Sequence, residues 1–129
     1  MVSDTSALLA WLRQEPECER IIAALEANPV CHLSALSLFE AHIVVRAKGQ
    51  PGLQAQLKRF LDEIGAIVVP FDEKQAILAD EAYQRFGKGR GHLAQLNMGD
   101  CASYALAKSL DEPLLFVGND FSRTDIKRC

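Results

Sequence analysis

Four carboxylates stand out in this sequence: Asp4, Glu40, Asp100 and Asp120. Asp4 and Asp120 each follow a short apolar stretch, and Asp100 opens a late helix-forming segment. Glu40 has Leu36, Ile43 and Val44 at i−4, i+3 and i+4, the neighbours of a helical face. A carboxylate on such an apolar stripe is costly to bury without a counter-charge. A divalent cation supplies one. Hard oxygen donors without supporting His or Cys suit Mg2+ or Mn2+ rather than zinc. Taken singly, each acid also has an ordinary role. Asp4 before Thr5-Ser6 and Asp100 after Gly99 suit helix N-caps, Asp120 after Gly118-Asn119 suits an Asx-turn, and Glu40 could sit solvated on a helix rim. Their joint occurrence, three at strand or helix boundaries and one on an apolar helix face, is what points to a shared ion.

The elements that must bring them together follow from periodicity. Residues 5–13 place Ala7, Leu8, Trp11 and Leu12 at helical spacing, and Pro16 ends the segment. A second helix is expected over 17–27, with Ile21, Ile22 and Leu25 inward, before a strand at 30–33. Ser34 or Ser37 opens a helix to Lys48, stopped by Gly49 and Pro51-Gly52, and 54–64 reads as another helix. The β-branched run 66–71 reads as a strand buried on both faces. Asp72 caps a helix to Phe86, and 87–99 is the longest loop. A helix from Gly99 or Asp100 to Ser109, a buried strand at 113–117 and a polar tail with a short strand or turn near Ile126 complete the chain. Apolar strands alternating with helices predict an α/β fold: three α/β/α layers around a mainly parallel sheet of four to five strands. Right-handed crossovers bring the carboxyl ends of all strands to one edge, where ligands sit in such folds.

The chain's 129 residues, 49% hydrophobic and 24% charged, are expected to form a single domain over 1–129 with its own core. The longest stretch without Asp, Glu, Lys or Arg is 27–39, too short to cross a bilayer. Met1-Val2-Ser3-Asp4 has no basic segment and does not read as a secretory signal. Cys18, Cys31, Cys101 and Cys129 form no C-x-x-C pair, as expected of reduced thiols in a cytoplasm. The net charge of −3 disfavours nucleic acid at face value. With four acids assigned to a cation, the 14 basic residues slightly outnumber the remaining acids, so the placement of charge matters more than its sum.

Several segments together resemble a PIN domain, and more narrowly the VapC toxin ribonucleases of bacterial toxin–antitoxin pairs. They are Asp4-Thr5-Ser6-Ala7-Leu8-Leu9-Ala10, Leu36-Ser37-Leu38-Phe39-Glu40, Gly87-Lys88-Gly89, Leu96-Asn97-Met98-Gly99-Asp100-Cys101, and Gly118-Asn119-Asp120-Phe121 through Thr124-Asp125-Ile126. The likeness runs the length of the chain in order. Three positions depart from the pattern: Ser3 where the first strand is usually apolar, Met98 where an aromatic is usual, and Gly91-His92-Leu93 in place of a His-Pro pair. The resemblance implies a Mg2+-dependent endoribonuclease (Mn2+ being an alternative) with catalytic Asp4, Glu40, Asp100 and Asp120. Asp4, Asp100 and Asp120 would hold the metal, and Glu40 would orient or deprotonate the attacking water. Ser6 and Asn119 would support these groups by hydrogen bonds. One or two such metals make water nucleophilic and stabilise charge on phosphoryl and leaving oxygens, as phosphodiester hydrolysis requires. The resemblance also implies an RNA substrate, with tRNA one candidate, a homodimer and a cognate VapB-type antitoxin.

Arg85, Lys88 and Arg90 precede Asp100 in a glycine-rich loop and are the candidate contacts to an RNA backbone. That loop is no P-loop, since no Gly-Lys-Ser/Thr opens a helix after a strand. Cys101, His32 and His42 lack the spacing of a nucleophile or metal motif and read as packing or surface residues. Three other functions compete. A phosphoacceptor receiver domain needs a mid-chain acceptor Asp after a buried strand, and 54–58 has none. A dehalogenase-like phosphatase needs a D-x-D start that Asp4-Thr5-Ser6 lacks. The third is a catalytically silent α/β interaction module.

Overall fold

The computed structural model describes residues 1–129. Four parallel strands, β1 (Val2–Ser3), β2 (His32–Ser34), β3 (Ile67–Val69) and β4 (Leu114–Leu115), form one sheet in the order β3-β2-β1-β4. The six α-helices are α1 (Thr5–Leu12), α2 (Cys18–Ala27), α3 (Ala35–Ala47), α4 (Leu53–Glu63), α5 (Glu73–Phe86) and α6 (Met98–Leu110). A 3-10 turn, Asp120–Arg123, follows β4. Where a short strand or turn was expected near Ile126, there is a single bridge from Leu114 to Arg128.

Helices cover both faces because side chains alternate along each strand. Val2, Leu114 and Phe116 pack with α5 and α6 through Ala82, Phe86, Tyr104 and Leu106. Met1, Cys31 and Leu115 face the other way, onto Ala7, Ala10 and Ile21 of α1 and α2. Leu33 joins a third cluster with Leu8, Ala41, Val45, Leu57 and Phe60, which ties α1, α3 and α4 together.

Two expectations change. The β-branched run 66–71 is not buried on both faces: β3 is an edge strand, with Ile67 49% and Val68 42% exposed. Its β propensity reflects a pleated, half-open surface, not a buried position. The long loop ends earlier than expected, because α6 starts at Met98 with Asn97 as its N-cap. Asp100 is therefore the third residue of the helix, not its cap.

Candidate active site

β1 is a central strand, and the chain leaves it directly into α1, with Asp4 capping the helix. Asp4 Oδ2 accepts from the Ser6 backbone N–H at 2.9 Å and from the Ser6 hydroxyl at 2.6 Å. Ser6 Oγ in turn accepts from Val117 N at 3.0 Å, so this serine couples the exit of β1 to the chain just beyond β4. Asp4 Oδ1 accepts from the Ser103 hydroxyl of α6 at 2.6 Å, and Ser103 lies 3.0 Å from Ser37 Oγ on α3. Asp4, Ser37 and Ser103 are all buried. Three helices thus converge on one carboxylate, and its orientation is fixed.

Asp100 is held by a capping box: its Oδ2 accepts from Asn97 N at 2.8 Å, while Asn97 Oδ1 accepts from Asp100 N at 2.9 Å. Burial, followed by the charge of Asp4, pushes this carboxyl up to about 7, with Asp120 and Glu40 adding to the rise. The Asn97 N–H works in the opposite direction without offsetting it. Asp4, Asp120 and Glu40 are therefore all within electrostatic reach of Asp100. None of them takes part in an ion pair of this chain, so no Lys or Arg neutralises the cluster.

Glu40 is half-buried on α3, and its helical neighbour Ile43 is 50% exposed. The expected apolar stripe is thus only partly buried, with Leu36 and Val44 half-buried and Ile43 in solvent. What Glu40 meets is Gly99: a Cβ placed there would come within 2.6 Å of Glu40 Cδ and Oε1. Only a glycine at the start of α6 lets this carboxylate approach. Asp120 is exposed at the head of the 3-10 turn, not held in an Asx-turn, and Asn119 beside it makes no side-chain cap. Sequence reasoning missed Ser103, and it quoted Ser37, Asn97 and Gly99 only as parts of family-like segments or as helix starts, with no role at the site. Ser103 lies three residues after Asp100 and Ser37 three before Glu40, a helical spacing that could have revealed both.

The donor chemistry, all carboxylate and hydroxyl oxygen, suits a hard divalent cation. No three of the chain's carboxylate, imidazole and thiol groups already stand close enough to bind one ion together. The arrangement is a cluster of uncompensated charge around Asp100, not a finished coordination sphere. Among the basic candidates, Arg85 pairs with Asp125 at 3.4 Å and stacks on the Phe86 ring at 4.5 Å. Lys88 and Arg90 are exposed and form no ion pair.

The family model of the PIN domain matches residues 1–127, and the chain belongs to that family. Ribonuclease VapC28 of Mycobacterium tuberculosis is 44% identical over 128 residues, covering 99% of this chain and 96% of its own. Ribonuclease VapC30 of the same species is 46% identical over 127 residues, covering 98% and 95%. Within the PIN family the chain thus stands with the VapC ribonucleases, which are metal-dependent as a class. The crystal structure of VapBC2 from Rickettsia felis bound to a promoter DNA fragment shares the fold, with a TM-score of 0.77 at 17% identity over 98% of this chain and 94% of that one. No helix is long and apolar enough to cross a membrane.

Proposed function

We propose that the chain acts as one PIN domain that hydrolyses RNA phosphodiester bonds with water, as the toxin of a toxin–antitoxin pair. The observation that carries this reading is the crowding of four acids, with no cationic side chain among them, around a buried Asp100 whose carboxyl is pushed up to about 7. Asp4, Asp100 and Asp120 would hold Mg2+ or Mn2+, which when bound supplies charge to the phosphoryl oxygens and makes water more acidic. The residues of the chain do the rest. Glu40, whose approach Gly99 permits, takes a proton from the attacking water as its oxygen bonds to phosphorus, the bond from phosphorus to the 3′-oxygen breaks, and the departing 3′-oxygen takes a proton from solvent water. The products are a 3′-hydroxyl and a 5′-phosphate, and the 2′-hydroxyl takes no part. Ser6 and Ser103 keep Asp4 aimed at the cleft.

Lys88 and Arg90 would hold the flanking RNA backbone, while Arg85, which lies on the last turn of α5 and not in the loop as expected, is engaged with Asp125. Asn119, next to Asp120 at the head of the turn, would support it by a hydrogen bond. A VapB-type antitoxin is the partner that would restrain the activity, and a homodimer in the cytoplasm is the working form. Purified protein freed of inhibitor should cleave total RNA in Mg2+, stop when EDTA is in excess, and resume when Mg2+ is restored. Undiminished cleavage in EDTA would reject the mechanism. Loss of cleavage in Asp4→Asn with an unchanged circular dichroism spectrum would separate a nuclease from a silent interaction module.

A further inference from the structure

Beside the carboxylates lies a groove of about 570 Å3 that the hydrolytic step does not use. Its apolar wall includes Leu36 of α3, Tyr83 of α5 and Met98 of α6, and its polar groups are Asp80, Lys88 and Asn97. Residues next to the acids line the groove. Leu36 sits one helical turn before Glu40, Met98 adjoins Gly99, and Asn97 is the residue that holds Asp100. Met98 is 72% exposed and Tyr83 42%, large apolar side chains at the mouth of a site where a phosphodiester must lie. The Tyr83 hydroxyl donates to the Lys88 carbonyl at 3.0 Å, which fixes the ring against the loop.

Single-stranded RNA is read by splaying out bases, stacking them on flat or adaptable side chains, and bonding their edges. A tyrosine ring beside a flexible methionine provides such a platform. The polar groups narrow the choice. Asp80 receives the Gln84 amide at Oδ2, which leaves Oδ1 open and a second lone pair on Oδ2, enough for a bidentate contact. Asn97 uses its Oδ1 on Asp100 N and keeps its Nδ2 donor available. An acceptor carboxylate near an amide donor matches guanine, the one common base whose pairing edge places two adjacent donors, N1–H and the 2-amino group, next to an acceptor, O6.

We propose that this groove seats the base of a nucleotide next to the cleaved phosphodiester and selects guanine, with Asp80 accepting from N1–H and the 2-amino group and Asn97 donating to O6. The proposal rests on the ribonuclease reading, but its test needs no cleavage. The chain has two methionines, Met98 in the groove and Met1 in the core, so methyl-13C methionine labelling gives one reporter and one internal control. Guanosine 5′-monophosphate titrated in EDTA should shift the Met98 methyl saturably through the ring current of the base and leave Met1 unmoved. Uridine 5′-monophosphate should bind about tenfold more weakly, a difference that Asp80→Asn should remove because a lost bidentate base contact is of that size. Asp80 is exposed, so this variant keeps its fold. An unmoved Met98, equal affinity for both nucleotides, or a Met98 signal that follows protein concentration instead of nucleotide (a second copy filling the groove) would each overturn the proposal. Guanosine monophosphate binding by a protein that cleaves no RNA would instead locate the failure in the ribonuclease reading.

Discussion

Replacing Asp100 by Asn should stabilise the cation-free protein, and by an amount set by pH. The carboxyl rises from 3.8 to about 7 on folding, so the folded state binds a proton more tightly than the unfolded chain, and stability is lost as pH climbs through that window. At about 1.4 kcal/mol per pH unit, the ionised form costs at most about 4 kcal/mol above pH 7. The negative charge also benefits the first turn of α6, so a net gain of about 2–3 kcal/mol is expected for Asp100→Asn. An asparagine oxygen can still accept from Asn97 N, so the capping box survives. At about 3 °C per kcal/mol for a chain of this length, Tm should rise by about 6–9 °C near pH 8 in EDTA. The gain should shrink steadily toward zero below pH 4, where both states of the wild type are protonated. Thermal unfolding of both proteins across pH, with and without Mg2+, provides the measurement. Mg2+ should stabilise the wild type more than the variant, since it relieves the same repulsion. A variant less stable than wild type near pH 8, or a difference that does not change with pH, would refute the assignment of Asp100 to an uncompensated acid cluster.

Three other outcomes bear on the site. Gly99→Ala places a methyl on the Glu40 carboxylate, so kcat should fall about a hundredfold while stability changes by only about 1–3 kcal/mol, measured by RNA cleavage and urea unfolding. Ser103→Ala removes the donor to Asp4 Oδ1 and should cost about 1–3 kcal/mol of stability together with most of the activity, whereas Ser109→Ala on the same helix should leave activity intact. Lys88→Ala combined with Arg90→Ala should weaken RNA binding and lower the slope of log K against log salt by about 2, read by fluorescence anisotropy at several salt concentrations.

Asp4-Thr5-Ser6 announced its own geometry, because an Asp before a hydroxyl residue and an apolar helix caps that helix wherever the strand ends. The helix boundaries were similarly legible from Ser34, Asp72 and the glycine stops. Burial was not. The run 66–71 has the composition of a central strand, yet strand order is a global property, and an edge position leaves Ile67 and Val68 in solvent. Glu40 was singled out for its apolar neighbours, but Ile43 is exposed, and the residue that decides its environment is Gly99, fifty-nine positions away. Arg85 illustrates the same limit: its place in a basic loop suggested RNA, while its partners Asp125 and Phe86 are fixed by the packing of the C-terminal segment on α5 and α6.

The sheet order β3-β2-β1-β4 makes the last-synthesised strand the neighbour of the first. While the chain is still being made, β1, β2 and β3 can associate and Asp4 can cap α1, yet the serine that aims it has no Val117 to receive and Asp120 does not exist. The acid cluster is therefore a product of closure across the sheet: it is complete only when β4 lies against β1, with Val117 on Ser6 and Asp120 at the head of its turn.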